Sequence, residues 1–315
     1  MAFTSHARSF AGRPVVEVPV DGPLPAVDGP VSWRFARSDW DGTVKDELSK
    51  EFQTAFDRFV AQAGPSVESL VIGAWGYAAF NLAPIAQLCA AAPRLPALRA
   101  LFLGDMTSEE CEVSWMKVGD VSQLLAAYPA LEVLRVRGGE DFDFSPVRHP
   151  RLRELAVESG GLSREFVGAV LGSDLPALTD LELWLGTPDY GGDATIGDLA
   201  PLLAGEGFPR LRRLGLRNAE IADEVAEALA AAPVVRRLER LDLSLGTLGD
   251  DGAAALLAGQ PLTHLAELDL HRHYLSEPVA ASVVAALPGV RVDVSARQEP
   301  DVYDGESYRY TAVSE

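Results

Sequence analysis

The residues with the clearest capacity for chemistry lie in Leu-Asp-Leu-His-Arg-His-Tyr, positions 268 to 274. Asp269, His271 and His273 alternate there, so on a strand they would share one face, and Asp242 occupies the same place in a matching Leu-Asp-Leu twenty-seven residues earlier. Two imidazoles and two carboxylates at such spacing could hold a divalent metal with a position left open for water. His273, however, falls where the strand should turn away, and no metal or other cofactor is expected. Nucleophile and phosphate motifs are missing: the sequence has no Gly-x-Ser-x-Gly, no Gly-x-x-x-x-Gly-Lys and no cysteine near a histidine. Cys89, in the alanine-rich stretch 85 to 92, reads as a small packing residue. Cys111 lies among Glu109, Glu110 and Glu112, whose charges should raise its pKa and dull it. A non-enzymatic protein is the expectation.

The elements that must position these residues are repeats. Leu211, Leu214 and Leu216 are followed by Leu238, Leu241 and Leu243, then by Leu265, Leu268 and Leu270, each triplet twenty-seven residues after the last. In Leu-x-x-Leu-x-Leu the fourth and sixth positions point into a core and those between point out. Earlier triplets start at Val67, Leu98, Leu131, Leu152 and Leu178, at less even spacing, and about eight units precede the end. The short unit from Leu131 to Leu152 should lack a full helix, because residues 140 to 150 carry two prolines and no helical period. One unit cannot bury its own leucines, so stability must come from stacking neighbours.

Read this way, the outward positions run from apolar to charged: Val71, Ala100, Phe102 and Val133 early; Arg135, Arg137, Glu154, Glu158, Asp180, Glu182 and Trp184 in the middle; Arg213, Arg217, Arg240, Asp242, Glu267, Asp269 and His271 late. Aromatics beside arginines have the composition of an interface hot spot, which makes Phe102, Arg135, Arg137, Glu182, Trp184, Arg213, Arg217, Asp242, Asp269 and His271 the candidate partner-binding set. The alternative for the charges is a solvated sheet whose arginines and acids pair across strands. Two long units gain residues just after their strands, at 104 to 118 and 186 to 195, and both insertions should emerge on one rim, as binding loops or as tolerated drift.

The triplets and their period resemble leucine-rich repeats of the long, ribonuclease-inhibitor-like class. That likeness implies an α/β solenoid, a horseshoe with a parallel concave sheet and convex helices. VIGAWG at 71 to 76, EECEVSWMKVGD at 109 to 120, LRVRGG at 134 to 139 and LWLGTPDYGGDAT at 183 to 195 are further similar to a family of stand-alone bacterial leucine-rich-repeat proteins of the actinobacterial type. The resemblance assigns no catalytic residue; because such genes often neighbour radical-SAM and ATP-grasp enzymes, it implies an accessory role in recognising a substrate for a modifying enzyme. One departure is the turn position that many such repeats fill with Asn or Cys, here Gly139, Gly160, Gly186, Ala219, Gly246 or His273. A looser turn edge is expected from it.

The division expected is an N-terminal α/β cap over 1 to 66, with short strands and a helix from 44 to 63; the repeat unit over 67 to 294; and an acidic, Tyr-rich tail over 295 to 315. The tail should cover the sheet edge or fold over the concave face. A net charge of −19 argues against nucleic acid and fits a soluble surface or a basic protein or peptide partner. With two cysteines, no signal-like start and no apolar run long enough for a bilayer, a cytoplasmic, membrane-free and monomeric protein is the expectation.

Overall fold

The computed structural model describes residues 3–38 and 48–314. The chain enters through β1 (Ser9–Phe10), turns antiparallel onto β2 (Arg13–Glu17) and continues in parallel to β3 (Ser32–Arg37). Next comes α1 (Lys50–Ala63), whose Phe52, Phe56, Phe59 and Val60 recur at helical spacing and are buried. The first three of these rings surround Phe35 of β3 at centroid distances of 5.1, 5.3 and 5.9 Å. Ser49 caps the helix, its side chain accepting the Phe52 N–H at 3.0 Å. The described helix opens at Lys50, and the start expected at Val44 lies outside the described residues.

The sheet continues through β4 (Ser69–Trp75) and, after α2 (Ile85–Ala91), β5 (Ala100–Leu103). Two strands leave it: β6 (Lys117–Asp120), followed by α3 (Ser122–Ala127) and β7 (Val133–Arg137), pairs in parallel with β8 (Glu140–Asp143). No helix separates β8 from β9 (Glu154–Glu158), where the prolines predicted none. The order is then regular: α4 (Arg164–Leu171), β10 (Asp180–Gly186), α5 (Ile196–Leu203), β11 (Arg213–Ala219), α6 (Ala222–Leu229), β12 (Arg240–Asp242), α7 (Asp250–Ala258), β13 (Glu267–Asp269), α8 (Glu277–Ala286) and β14 (Arg291–Asp293).

Among the described residues twelve strands, all but β6, β8 and the last hairpin, form one sheet in chain order, parallel from β2 onward. This is a mixed α/β fold with a large, mostly parallel sheet. Each crossover helix lets the next strand return in the same direction. Register places like on like: Leu181 faces Leu214, Leu214 faces Leu241 and Leu241 faces Leu268. The core is continuous from Val18 to Leu287, and β1, β2 and β3 open the same sheet, with α1 packed on β3.

Beyond β14 the tail forms a hairpin, β15 (Asp301–Tyr303) with β16 (Glu306–Tyr308), whose turn residues Asp304 and Gly305 take positive φ. The hairpin pairs with itself and not with β14. The chain then runs back over the C-terminal ends of the strands, where the Ala312 N–H donates to the Leu245 carbonyl at 2.8 Å. The tail thus covers strand ends several strands in from the sheet edge.

Candidate functional site

Alternation along the strands sets the outward residues in columns across the sheet. One column runs Val133, Glu154, Asp180, Arg213, Arg240, Glu267, Arg291; the next runs Arg135, Ala156, Glu182, Gly215, Asp242, Asp269, Asp293. Arg213 Nη1 lies 2.7 Å from Asp180 in the first column, and Arg217, in register with Trp184 in the column beyond, has Nη1 2.6 Å from Glu182 and Nε 3.3 Å from Asp242. Arg240 lies 3.4 Å from both Asp242 and Asp269. Burial pushes the Glu182 carboxyl up, but Arg217 and Arg135 outweigh it and hold the group below the ordinary carboxylate range. At Asp242 burial wins over Arg217, with Asp269 adding to it, and the carboxyl is raised.

The aromatic pair expected to be exposed is not. Phe102 is 2% exposed and Trp184 3%. Phe102 lies under the N-terminal segment: it packs with Phe10 and Ala7, the Phe10 ring 5.7 Å away, and Val71 and Ala100 are sealed in the same cluster. Trp184 is closed from two sides, by Phe3 stacked at 5.6 Å and by Val313 of the tail, with Val113 and Leu245 completing the contact. Large exposed aromatics gain nothing from water, and here the chain's own termini take the place assigned to a partner. Arg137 is withdrawn too: Nε meets Glu158 at 2.7 Å, Nη1 donates to the Met106 carbonyl at 2.9 Å, and the guanidinium lies 3.4 Å over the Phe3 ring. Asp242 and Asp269 are buried, and Arg217 is mostly covered by its acids. Arg135, Glu182, Arg213, Arg240 and His271 remain within reach of solvent.

At the far end of the strip, donor atoms of Asp269, His271 and Asp293 lie within 4.8 Å of one another. His273 is not among them. Its Nε2 donates to the Val294 carbonyl at 2.9 Å and its Nδ1 accepts the Leu275 N–H at 2.9 Å, so both ring nitrogens are used and burial lowers its pKa. His271 Nδ1 bonds Asp269 Oδ1 at 2.7 Å, and Nε2 has no hydrogen bond among the described residues. Hydrogen bonds from Ser295 hold Asp293 below the ordinary carboxylate range. Cys111 is buried, and burial first, then Glu112, pushes its thiol up to about 12.

Neither a family model nor a curated protein matches this chain. A crystal structure of a protein from Bacteroides fragilis, a structural-genomics target, matches with a TM-score of 0.73 at 32% identity, covering 81% of this chain and 75% of that one. This chain belongs to the family of that protein. Membership extends the fold to both and names no activity.

Several residues that shape the site carried no signal in the repeat pattern. Asn218, at φ +51°, donates from Nδ2 to the Val313 carbonyl at 2.6 Å and accepts the Val313 N–H on Oδ1 at 2.9 Å, clamping the tail as a strand neighbour would. Arg34 and Asp105 form a buried pair at 2.7 Å, and Asp105 Oδ1 also accepts the Ala7 N–H at 3.1 Å, fastening the N-terminal segment. His6 holds Glu110 at 2.7 Å on the same insertion. The turn edge, expected to be loose, is closed: a Cβ on Gly186, at φ +69°, would collide with the Gly160 carbonyl, so glycine there lets neighbouring turns touch. Both insertions reach this rim: Ser114 lies against Gly160 and its Oγ donates to the Ser314 carbonyl at 3.3 Å, Val113 packs with Trp184, and Tyr190 and Gly192 of the second insertion lie against Gly161.

Proposed function

We propose that the chain is a leucine-rich-repeat horseshoe of the ribonuclease-inhibitor-like class that acts in the cytoplasm as a non-enzymatic scaffold, binding a basic protein or peptide segment along the open, charged strip of its sheet. The repeat reading draws support from triplets at twenty-seven residues whose leucines lie in register on β11, β12 and β13. The binding reading rests on one observation above the rest: the termini cover the apolar outward positions and leave Glu154, Asp180, Glu182, Arg213, Arg240 and Glu267 of the charged columns within reach of solvent. Across those columns Glu154, Asp180 and Glu267 balance Arg213, Arg240 and Arg291, while Glu182, Asp242, Asp269 and Asp293 share their column with Arg135 and outnumber it even after Arg217 of the next column pairs with Glu182 and Asp242. That acidic excess, on a chain of net charge −19, suits a basic partner and would speed its arrival. A rigid parallel sheet offers these charges already arranged, which lowers the ordering cost of association. A recognition role beside a modifying enzyme would use the same strip.

The test is a photoreactive residue in place of Arg213 on the strip or of Ala254 on α7. One protein cross-linked from position 213 and not from 254, and lost when Glu182 and Glu267 are both changed to Gln, supports the strip. Equal cross-linking from both positions contradicts it.

A second reading has its own observation, the convergence of Asp269, His271 and Asp293. One imidazole and two carboxylates suit zinc, manganese or ferrous iron. Stoichiometric zinc or manganese in protein purified without an affinity tag, lost on His271→Ala, would support it; metal-free protein would sink it.

A further inference from the structure

The charged strip contains two runs of like-charged carboxylates, and only one has a structural reason. Asp242, Asp269 and Asp293 lie side by side, but each Oδ1 accepts the backbone N–H two residues on, at 3.0, 3.0 and 2.8 Å, and so helps to end its strand. Glu154 and Asp180 face each other in register on β9 and β10, a placement that costs stability. Asp180 is occupied by Arg213, whereas Glu154 has no hydrogen bond or ion pair among the described residues. Arg135, Arg153 and Arg213 act on it only through space.

Beside this carboxylate the face sinks. Ala156 and Gly215 supply little or no side chain, and a depression of about 110 Å³ opens over them, walled by Arg135, Glu154, Asp180, Glu182, Arg213 and Arg240. The arginines do not make it an anion site, because each already has an acid: Arg135 has Glu158 at 3.1 Å, Arg213 has Asp180, and Arg240 has Asp242 and Asp269. The charge left over is negative. Burial, then Asp180, also raises the Glu154 pKa, as expected of a carboxylate lacking its counter-ion.

We infer that the depression over Ala156 and Gly215 seats the ammonium or guanidinium head of a lysine or arginine on the bound segment, with Glu154 as its direct counter-ion and Asp180 beside it. This deepens the strip reading and rests on it. A basic side chain reaching in would separate the two like charges and pair the one acid lining the depression that has no partner among the described residues.

Calorimetric titration of the full chain with hexalysine, and with hexaglutamate as the opposite probe, tests it at low ionic strength. Wild type should bind hexalysine and not hexaglutamate. Glu154→Gln should weaken hexalysine roughly fivefold, the yield of one partly exposed ion pair, while Asp251→Asn, removing a surface acid of α7, should leave it unchanged. No hexalysine binding, preference for hexaglutamate, or equal losses in the two variants would overturn the seat. The two readings fail separately. A partner cross-linked from position 213 whose affinity ignores Glu154→Gln would keep the strip and remove the seat. Hexalysine binding that needs Glu154, without any partner cross-linked at 213, would do the reverse.

Discussion

The outward face of the sheet is two surfaces made from the same strand positions. From β4 to β7 those positions hold Val71, Ala100 and Phe102, buried under the N-terminal segment; from β9 to β14 they hold mostly charged residues that stay open away from the strand ends. Trp184 sits on the boundary, where Phe3 and Val313 meet over it. The difference shows what hydrophobicity alone can and cannot locate. Apolar outward residues marked where the chain binds itself, and the surface left for another molecule is the part that gains little from being covered by its own ends.

The largest effect should come from cutting into the sealed half. Phe102→Ala or Trp184→Ala should each cost about 3 to 5 kcal/mol in denaturant unfolding, as buried aromatics do. Arg213→Ala on the open half should stay within about 0.5 kcal/mol. Similar costs for both would erase the distinction between the halves.

Next is the clamp at the boundary. Asn218→Ala orphans both polar groups of Val313 and should cost about 1 to 3 kcal/mol. Trypsin should then cleave after Arg309 faster than in wild type, since the tail's anchor is gone. An unchanged cleavage rate would mean that Asn218 does not hold the tail.

A smaller effect belongs to His273, held neutral by burial. Its pKa is lowered on folding, so the unfolded chain takes up the proton first and stability should fall as pH drops below about 6.5. A His273→Gln variant, followed by thermal unfolding between pH 7.5 and 5, should lose part of that slope. An identical slope would mean other groups set it.

The smallest effect is on the open half. Glu154 has a raised pKa, so the folded chain releases its proton last and the ionised carboxylate costs stability above the ordinary carboxylate range. Glu154→Gln should therefore be neutral or slightly stabilising, by a few tenths of a kcal/mol, at neutral pH, and this gain should vanish in acid. Clear destabilisation at neutral pH would give Glu154 a structural role.

The sheet was legible because its signal is local and repeated. Leu214, Leu241 and Leu268 stand at constant spacing, and constant spacing on parallel strands fixes register, which in turn identifies the outward columns. The missing helix before β9 was readable from prolines. The coverings were not, because they depend on contacts between distant segments without a pattern. Phe3 reaches Trp184 from a stretch whose only strand is Ser9–Phe10, and Val313 is held by Asn218 from ninety-five residues away. Nothing in the composition of either end distinguishes a docked segment from a loose one. Glu154 was readable as outward, but that it alone among the acids lining the depression lacks a partner emerges only when every neighbouring arginine can be assigned its acid.

Hydroxyl-radical footprinting read residue by residue tests the division of the face most directly, with Trp115, 52% exposed, as the internal reference. Burial under the termini predicts that Trp115 is oxidised rapidly while Trp184 and Phe102 are protected, and that Asn218→Ala exposes Trp184 without exposing Phe102. Oxidation of Trp184 and Phe102 in the wild-type chain, with each rate scaled to its residue type's intrinsic reactivity and comparable to that of Trp115, would contradict it and return the aromatic pair to the surface as the place where a partner binds.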